Sequence, residues 1–171
     1  MLLSKIPKLI DCKKIYNLEK KNTSFNFLST NSKYIKKNSI LVVNIRNNFK
    51  KKYIDESIEK GAAALITNYY FKNIKIPQFF VKDVNKSLKK LLWELKKVPP
   101  NNIIGVTGTN GKTSVVWNIS NILFLSKKNI KSYGTLGFYN NLKKIENSIL
   151  TTPEYEILYQ KAFTQAKKKQ M

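Results

Sequence analysis

Ile103-Ile104-Gly105-Val106-Thr107-Gly108-Thr109-Asn110-Gly111-Lys112-Thr113-Ser114 is the stretch on which the fold and chemistry of this chain turn. Ile103, Ile104 and Val106 make an apolar, β-branched run, and Val115, Ile119, Ile122 and Leu123 then recur at helical spacing. Strand, glycine-rich loop and helix together form the setting of a phosphate-binding loop. Glycines let backbone N–H groups curl around a phosphate, and the following helix end carries partial positive charge. In this pattern Lys112 reaches the outer phosphates and the Thr113 hydroxyl is placed to ligate Mg²⁺. The general motif G-x-x-x-x-G-K-[ST] would put glycine at position 106, where this chain has Val106. The plain alternative is a glycine-rich turn with a solvated lysine. The spacing of Gly108, Gly111, Lys112 and Thr113 favours a nucleoside-triphosphate site.

Outward from the loop, Val98-Pro99-Pro100-Asn101-Asn102 marks a boundary, since paired prolines cannot continue a helix and make a short, stiff linker. Before it, Leu88, Leu91, Leu92 and Leu95 recur at i, i+3, i+4 and i+7, with Asp83 or Asn85 placed to cap that helix. Ser39–Ile45, Ala62–Thr67 and Gln78–Val81 read as strands, and Ser24–Leu28 as a half-buried one. Residues 53–60 form a helix with Tyr53, Ile54, Ser57 and Ile58 on one face, closed by Gly61. Residues 1–23 carry no clear pattern.

After the loop the expected order is a helix from Lys112 to about Ser126 and a strand near 130–135. A turn at Gly134-Thr135-Leu136-Gly137 and a polar segment follow. Thr151 or Thr152 then caps a helix whose first turn holds Pro153 and Glu154 and which ends near Lys167–Met171. The expected fold class is α/β: a small α/β domain over 1–98, then the opening of a second, phosphate-loop domain over 99–171.

Composition narrows the function classes. The chain has 171 residues, a hydrophobic content of 42%, no histidine and one cysteine, Cys12. A folded core is feasible, an internal disulfide is not, and histidine chemistry is excluded within this chain. No run of 18 apolar residues offers a membrane span, and Met1–Ile10, broken by Pro7 and lysines, is too short for a signal peptide. A cytoplasmic address is expected. The net charge of +22 invites a nucleic-acid partner, but the lysines are spread along the whole chain and Arg46 is the single arginine. Charge of that kind gives salt-sensitive, sequence-blind attraction, so no specific nucleic acid is expected. A monomer is expected.

Gly105–Ser114 resembles the ATP loop of the Mur ligase family, whose shortened G-T-x-G-K-[ST] form leaves position 106 free. Gly134-Thr-Leu-Gly137 and Leu150-Thr-Thr-Pro-Glu154 are similar to the branch of that family that adds the third amino acid of the peptidoglycan peptide. Asn31-Ser32-Lys33, Ser39–Val43, Tyr53-Ile54 and Glu59–Ile66 resemble the same family's uridine-nucleotide domain. The resemblance, running from about residue 24 onward, implies an ATP-dependent amide-forming ligase acting on UDP-MurNAc-L-Ala-D-Glu and an amino acid, commonly meso-diaminopimelate or lysine. It implies ATP and Mg²⁺ as cofactors. It places Gly108, Thr109, Asn110, Gly111, Lys112, Thr113 and Ser114 around ATP, with Lys112 catalytic and Thr113 on the metal. Ser32, Thr151 and Thr152 would hold the uridine-nucleotide substrate, and for the two threonines helix capping stays open beside that role.

The family's three-domain plan would make this chain its first domain and the opening of its second. A Mg²⁺-binding glutamate, a histidine, a carbamylated lysine and the amino-acid-selecting domain would all be missing. Two departures bear on uridine binding. Asn31 and Lys33 stand where the family has Asp and Arg. A Gly-His-x-x-Asp-Gly loop falls on Ile45, Arg46, Asn47, Asn48, Phe49 and Lys50, which keep none of its marked residues. A nucleic-acid-associated phosphate-loop ATPase and a decayed, non-catalytic nucleotide binder are the competing functions.

Overall fold

The computed structural model describes residues 1–18, 23–46, 49–95 and 98–163. It divides into two compact units, one over residues 1–98 and one over 99–163.

The first unit is a five-stranded sheet in the order β1-β5-β4-β3-β2. Its strands are β1 (Cys12–Tyr16), β2 (Phe27–Ser29), β3 (Ser39–Val43), β4 (Ala62–Thr67) and β5 (Gln78–Val81). β2 through β5 run parallel, and β1 closes the edge antiparallel to β5. Every residue of β3 is buried, which is why Ser-Ile-Leu-Val-Val reads as a continuous apolar run and not as an alternation. Leu41, Val43 and Leu65 pack with Ile54 of helix α2 (Lys52–Glu59), while the alternate residues Ile40, Val42 and Ile66 point the other way. Helix α3 (Val84–Leu95) contacts β3 and the short α1 (Ile6–Leu9), and it buries Leu88, Leu91, Leu92 and Leu95. Full burial of each leucine contributes about 1.5–3 kcal/mol. Asp83 caps α3, its Oδ1 accepting from the Lys86 N–H at 2.8 Å. Gly61 follows α2 at φ 86°, with Lys37 Cα only 3.2 Å from where a Cβ would sit.

Several expectations change here. The unread N-terminus holds α1 and β1; β1 is an edge strand whose exposed Lys13 and Lys14 hide its pattern. The strand expected over Ser24–Leu28 lies instead at Phe27–Ser29, and Ser24 forms only an isolated bridge to Leu2. The Cys12 thiol is half-buried and burial pushes its pKa up, so it is a poor nucleophile. Residues 19–22 of the lysine-rich stretch lie outside the described residues.

The second unit contains α4 (Lys112–Leu125), an antiparallel sheet of β6 (Lys131–Gly134), β7 (Gly137–Asn140) and β8 (Lys143–Glu146), and α5 (Tyr155–Ala162). The strand expected at Ile103–Val106 does not form: Ile103 and Ile104 are 72% and 60% exposed, and no described strand pairs with them. An apolar run becomes a strand only where a neighbour takes its N–H and C=O groups. The polar segment after Gly137 instead makes β7 and β8, so the described sheet is a meander and not a parallel sheet. Trp117 of α4 meets Tyr139 of β7 edge-on at 5.3 Å. Lys161 of α5 pairs with Glu146 of β8, and its amine sits 4.6 Å from the Phe138 ring centre.

Helix α5 also begins later than expected. Its N-cap is Glu154, no side chain caps it, and Pro153 precedes the cap. The extended backbone that proline favours in the residue before it would suit an N-cap at Thr152, but the chain stays extended as far as Glu154, at φ -59° and ψ 149°, and turns helical only at Tyr155. The expected helix end at Lys167–Met171 lies outside the described residues. Among the described residues no helix is long and apolar enough to cross a membrane.

Candidate functional site

The glycine-rich loop meets α4 at Gly111, which is the N-cap at φ 75° and brings no side-chain cap. The N–H groups of Lys112, Thr113 and Ser114 open the helix, where no intrahelical acceptor exists for them. An unblocked, glycine-capped helix end with its N–H groups turned outward is chemically an anion site. Gly108 adopts φ 147°, and a Cβ there would lie 3.6 Å from the Asn110 carbonyl oxygen. At Gly111 nothing lies within 4 Å, so the glycine serves its backbone angle and leaves the loop mouth open.

Lys112 folds back over the loop. Its Nζ donates to the Gly108 carbonyl and, at 3.0 Å, to the Thr109 carbonyl. Those two oxygens occupy donors that phosphate oxygens would otherwise take. Thr109, Asn110 and Ser114 are exposed around the same mouth, and Thr107 and Gly108 with them.

Thr113 faces the hairpin turn. Its hydroxyl lies 3.5 Å from that of Thr135, which in turn lies 3.3 Å from the Thr151 hydroxyl. Lys112, Thr113, Thr135, Thr151 and Thr152 line one cleft of about 90 Å³, walled on the far side by Trp117 and Tyr139. The loop and the Thr-Thr-Pro segment, 38 residues apart by position, thus share one concavity. Thr135 was visible in the sequence only as part of a turn; its place between two threonines depends on the hairpin.

That hairpin hangs on Gly137, at φ 123°, where an added Cβ would sit 2.4 Å from the backbone oxygen of Glu146. Gly137→Ala is therefore expected to break the β7–β8 register. The unfavourable φ costs about 1–3 kcal/mol by itself, before the clash is relieved. Loss of the 5.3 Å Trp117–Tyr139 contact, read as a change in tryptophan fluorescence with a lower melting temperature, checks it. An unchanged spectrum and melting point would mean the turn is not pinned there.

In the first unit Ser32 lies just past β2, at the carboxyl ends of the parallel strands, where open α/β sheets bind ligands. It is buried, its hydroxyl donates to Glu56 Oε2 at 3.0 Å, and its carbonyl accepts from Lys60 Nζ at 3.0 Å. Glu56 was not singled out from the sequence; it sits on α2, 24 positions away. The neighbouring Asn31 side chain accepts from the Lys33 N–H, shaping the loop itself. Along the same edge Asn68 bridges the Asn44 side chain and the Ile45 N–H. Ile45 and Phe49 pack against the apolar cluster, so positions where the resemblance calls for a polar loop here serve the core. Asn47 and Asn48 lie outside the described residues.

The donor set bears on the metal. Among the described residues no three Asp, Glu, Cys or His side chains converge. Thr113 supplies one hydroxyl, and Mg²⁺ readily keeps several waters while taking phosphate oxygens. The loop therefore fits a Mg²⁺ carried by a nucleotide, not a free-standing ion.

Residues 106–171 match the Mur ligase middle domain family. The chain is 34% identical over 128 residues to the UDP-N-acetylmuramoyl-L-alanyl-D-glutamate--2,6-diaminopimelate ligase of Rickettsia typhi, covering 71% of this chain and 25% of that protein. It is 36% identical over 138 residues to the protein of the same name from Wigglesworthia glossinidia brevipalpis, covering 72% and 27%. A solved structure of a UDP-N-acetylmuramoyl-L-alanyl-D-glutamate--2,6-diaminopimelate ligase superposes with a TM-score of 0.57 at 20% identity, over 95% of this chain and 32% of that one. A crystal structure of MurF from Acinetobacter baumannii superposes with a TM-score of 0.52 at 17% identity, over 82% and 30%. The chain thus spans about a quarter of the length of the curated relatives it matches.

Proposed function

The chain belongs to the Mur ligase family, and we propose that it supplies the nucleotide loop and the uridine-substrate surface of an ATP-dependent amide ligase of peptidoglycan synthesis. Residues 1–98 are then the domain that binds the UDP-MurNAc end, and residues 99–171 the opening of the ATP-binding domain. The enzyme would be cytoplasmic and monomeric. Its substrates would be UDP-MurNAc-L-Ala-D-Glu and an amino acid, with meso-diaminopimelate the reading that the relatives' names favour.

The observation that carries the proposal is the shared cleft of Lys112, Thr113, Thr151 and Thr152. In the reaction the terminal carboxylate of the substrate peptide takes the γ-phosphoryl group of ATP. The incoming amine then attacks the carbonyl carbon, forming the amide as phosphate leaves. Phosphoryl transfer depends mainly on positioning and on neutralising charge on the oxygens. Lys112 exchanges its two carbonyl partners for β- and γ-phosphate oxygens, and the N–H groups from Gly108 to Ser114 cradle the rest. Thr113 would hold the nucleotide's Mg²⁺, which supplies further neutralisation of phosphate charge. Thr151 and Thr152 orient the muramoyl peptide in the same cleft, and Ser32 contributes to the nucleotide diphosphate in the first unit. For a diphosphate to take the Ser32 hydroxyl as donor, that hydroxyl must leave Glu56.

The nucleic-acid reading is separated by salt. Titration of the chain with ATP, with and without Mg²⁺, should show saturable binding that Mg²⁺ strengthens and that survives a fourfold rise in salt. Binding that collapses with salt and is displaced equally by any polyanion would instead mark a non-specific basic surface.

A further inference from the structure

The proposed function leaves Thr135 without a task. It stands at the exposed tip of the β6–β7 turn and yet lies between two hydroxyls, those of Thr113 and Thr151, to which the proposed function gives different ligands. We infer that Thr135 is a positioning residue that makes the orientation of the Thr151 hydroxyl depend on whether the phosphate loop holds a nucleotide and its metal; this rests on the function proposed above.

The geometry gives the mechanism. A hydroxyl has one hydrogen to donate and two lone pairs to accept with. When the Thr113 oxygen gives a lone pair to a cation, its hydrogen is left to donate, and the Thr135 oxygen is the acceptor 3.5 Å away. Thr135 has then accepted, and its own hydrogen goes to Thr151 at 3.3 Å. The Thr151 oxygen becomes an acceptor within the protein, so its hydrogen is turned out toward the cleft. There it can meet an oxygen of the substrate. Without the metal nothing fixes that direction, and Thr151 is as free to donate back to Thr135. Loading one site thus sets the donor presented at the other, through three hydroxyls and no backbone movement.

The turn suits this task. Gly134 and Gly137 pair with each other at its base, and Gly137 lies so near the Glu146 backbone that no side chain fits between them. Thr135 is therefore held by the hairpin and not by its own packing. A valine of the same shape can replace it without disturbing a core.

The test uses the 171-residue chain with ¹³C-labelled threonine methyl groups, titrated with ADP and Mg²⁺ and read by NMR. In the wild type the Thr113 and Thr151 methyl signals should both move along one saturation curve. In Thr135→Val the Thr113 signal should still move, with the nucleotide dissociation constant changed by no more than about twofold, as loss of one weak hydrogen bond allows. The Thr151 response should be lost. Thr135→Ser should restore it. A Thr151 response that persists in the valine variant, or that is absent from the wild type while Thr113 responds, overturns the inference alone. If Thr113 does not respond in the wild type, the nucleotide assignment fails and takes the inference with it.

Discussion

Lys112→Ala is expected to lower the affinity of the chain for Mg·ATP by about 10- to 150-fold, the equivalent of losing a charge-assisted hydrogen bond of about 1.5–3 kcal/mol. The fold should be untouched. Lys112 donates only to the carbonyls of its own loop, so its removal exposes no buried group and opens no cavity. Circular dichroism and melting temperature should match the wild type while a fluorescent-nucleotide titration loses its saturation. Arginine should not rescue the site, because the guanidinium is a broad planar fork and the loop closes around a compact ammonium. Wild-type affinity in the alanine variant would remove the phosphate loop from the account.

The second large effect is a missing one: the 171-residue chain is expected to form no amide bond by itself. One threonine hydroxyl is a poor Mg²⁺ site without an acidic partner, and Glu146, at the end of β8, is engaged by Lys161. Lys112 is the one cation among the residues that line the cleft, and Lys161 is taken up by Glu146, Tyr133 and Phe138. Juxtaposing two substrates supplies much of the rate in such a reaction, and the cleft lined by Lys112, Thr113, Thr151 and Thr152 is the one the proposed function gives to the nucleotide and the muramoyl peptide. Incubation with ATP, UDP-MurNAc-L-Ala-D-Glu and candidate amino acids, followed by mass spectrometry, should show no tripeptide. A product that depends on Lys112 would show that these residues suffice.

How much of this could be read from the sequence depended on where each element finds its partners. β4 and β5 fall on the expected residues, Ala62–Thr67 and Gln78–Val81, because buried parallel strands are compact apolar runs. The leucine stripe of α3 is equally plain, since its period of 3.6 is local. β1 was illegible because its consecutive Lys13 and Lys14, on an exposed edge, leave no alternation to read. Ile103–Val106 misled in the opposite sense: the run is apolar, but strand formation is settled by pairing, and pairing is not local. β7 and β8 are only four residues each and find their partners in β6 and in each other, so only their turn left a mark.

The candidate site divides the same way. The backbone angles at Gly108 and Gly111 and the reach of Lys112 are consequences of a few consecutive residues, and the motif exposes them directly. The alignment of Thr113, Thr135 and Thr151 depends on three elements folding together. So does the hold of Glu56 on Ser32. Neither could be reached from spacing. The helix cap expected from Thr151 or Thr152 does not form: the Thr151 hydroxyl meets that of Thr135 and the helix begins only at Tyr155, neither of which is written in the local residues.

The decisive measurement is the titration of UDP-MurNAc-L-Ala-D-Glu into the 171-residue chain by calorimetry. The expected result is saturable one-to-one binding, weaker for UMP alone, and weakened about 2- to 10-fold each by Ser32→Ala and Thr152→Val, the loss expected of single hydrogen bonds. Absence of saturable binding, or binding that neither substitution alters, would contradict the assignment of Ser32 and Thr152 to the uridine-nucleotide substrate.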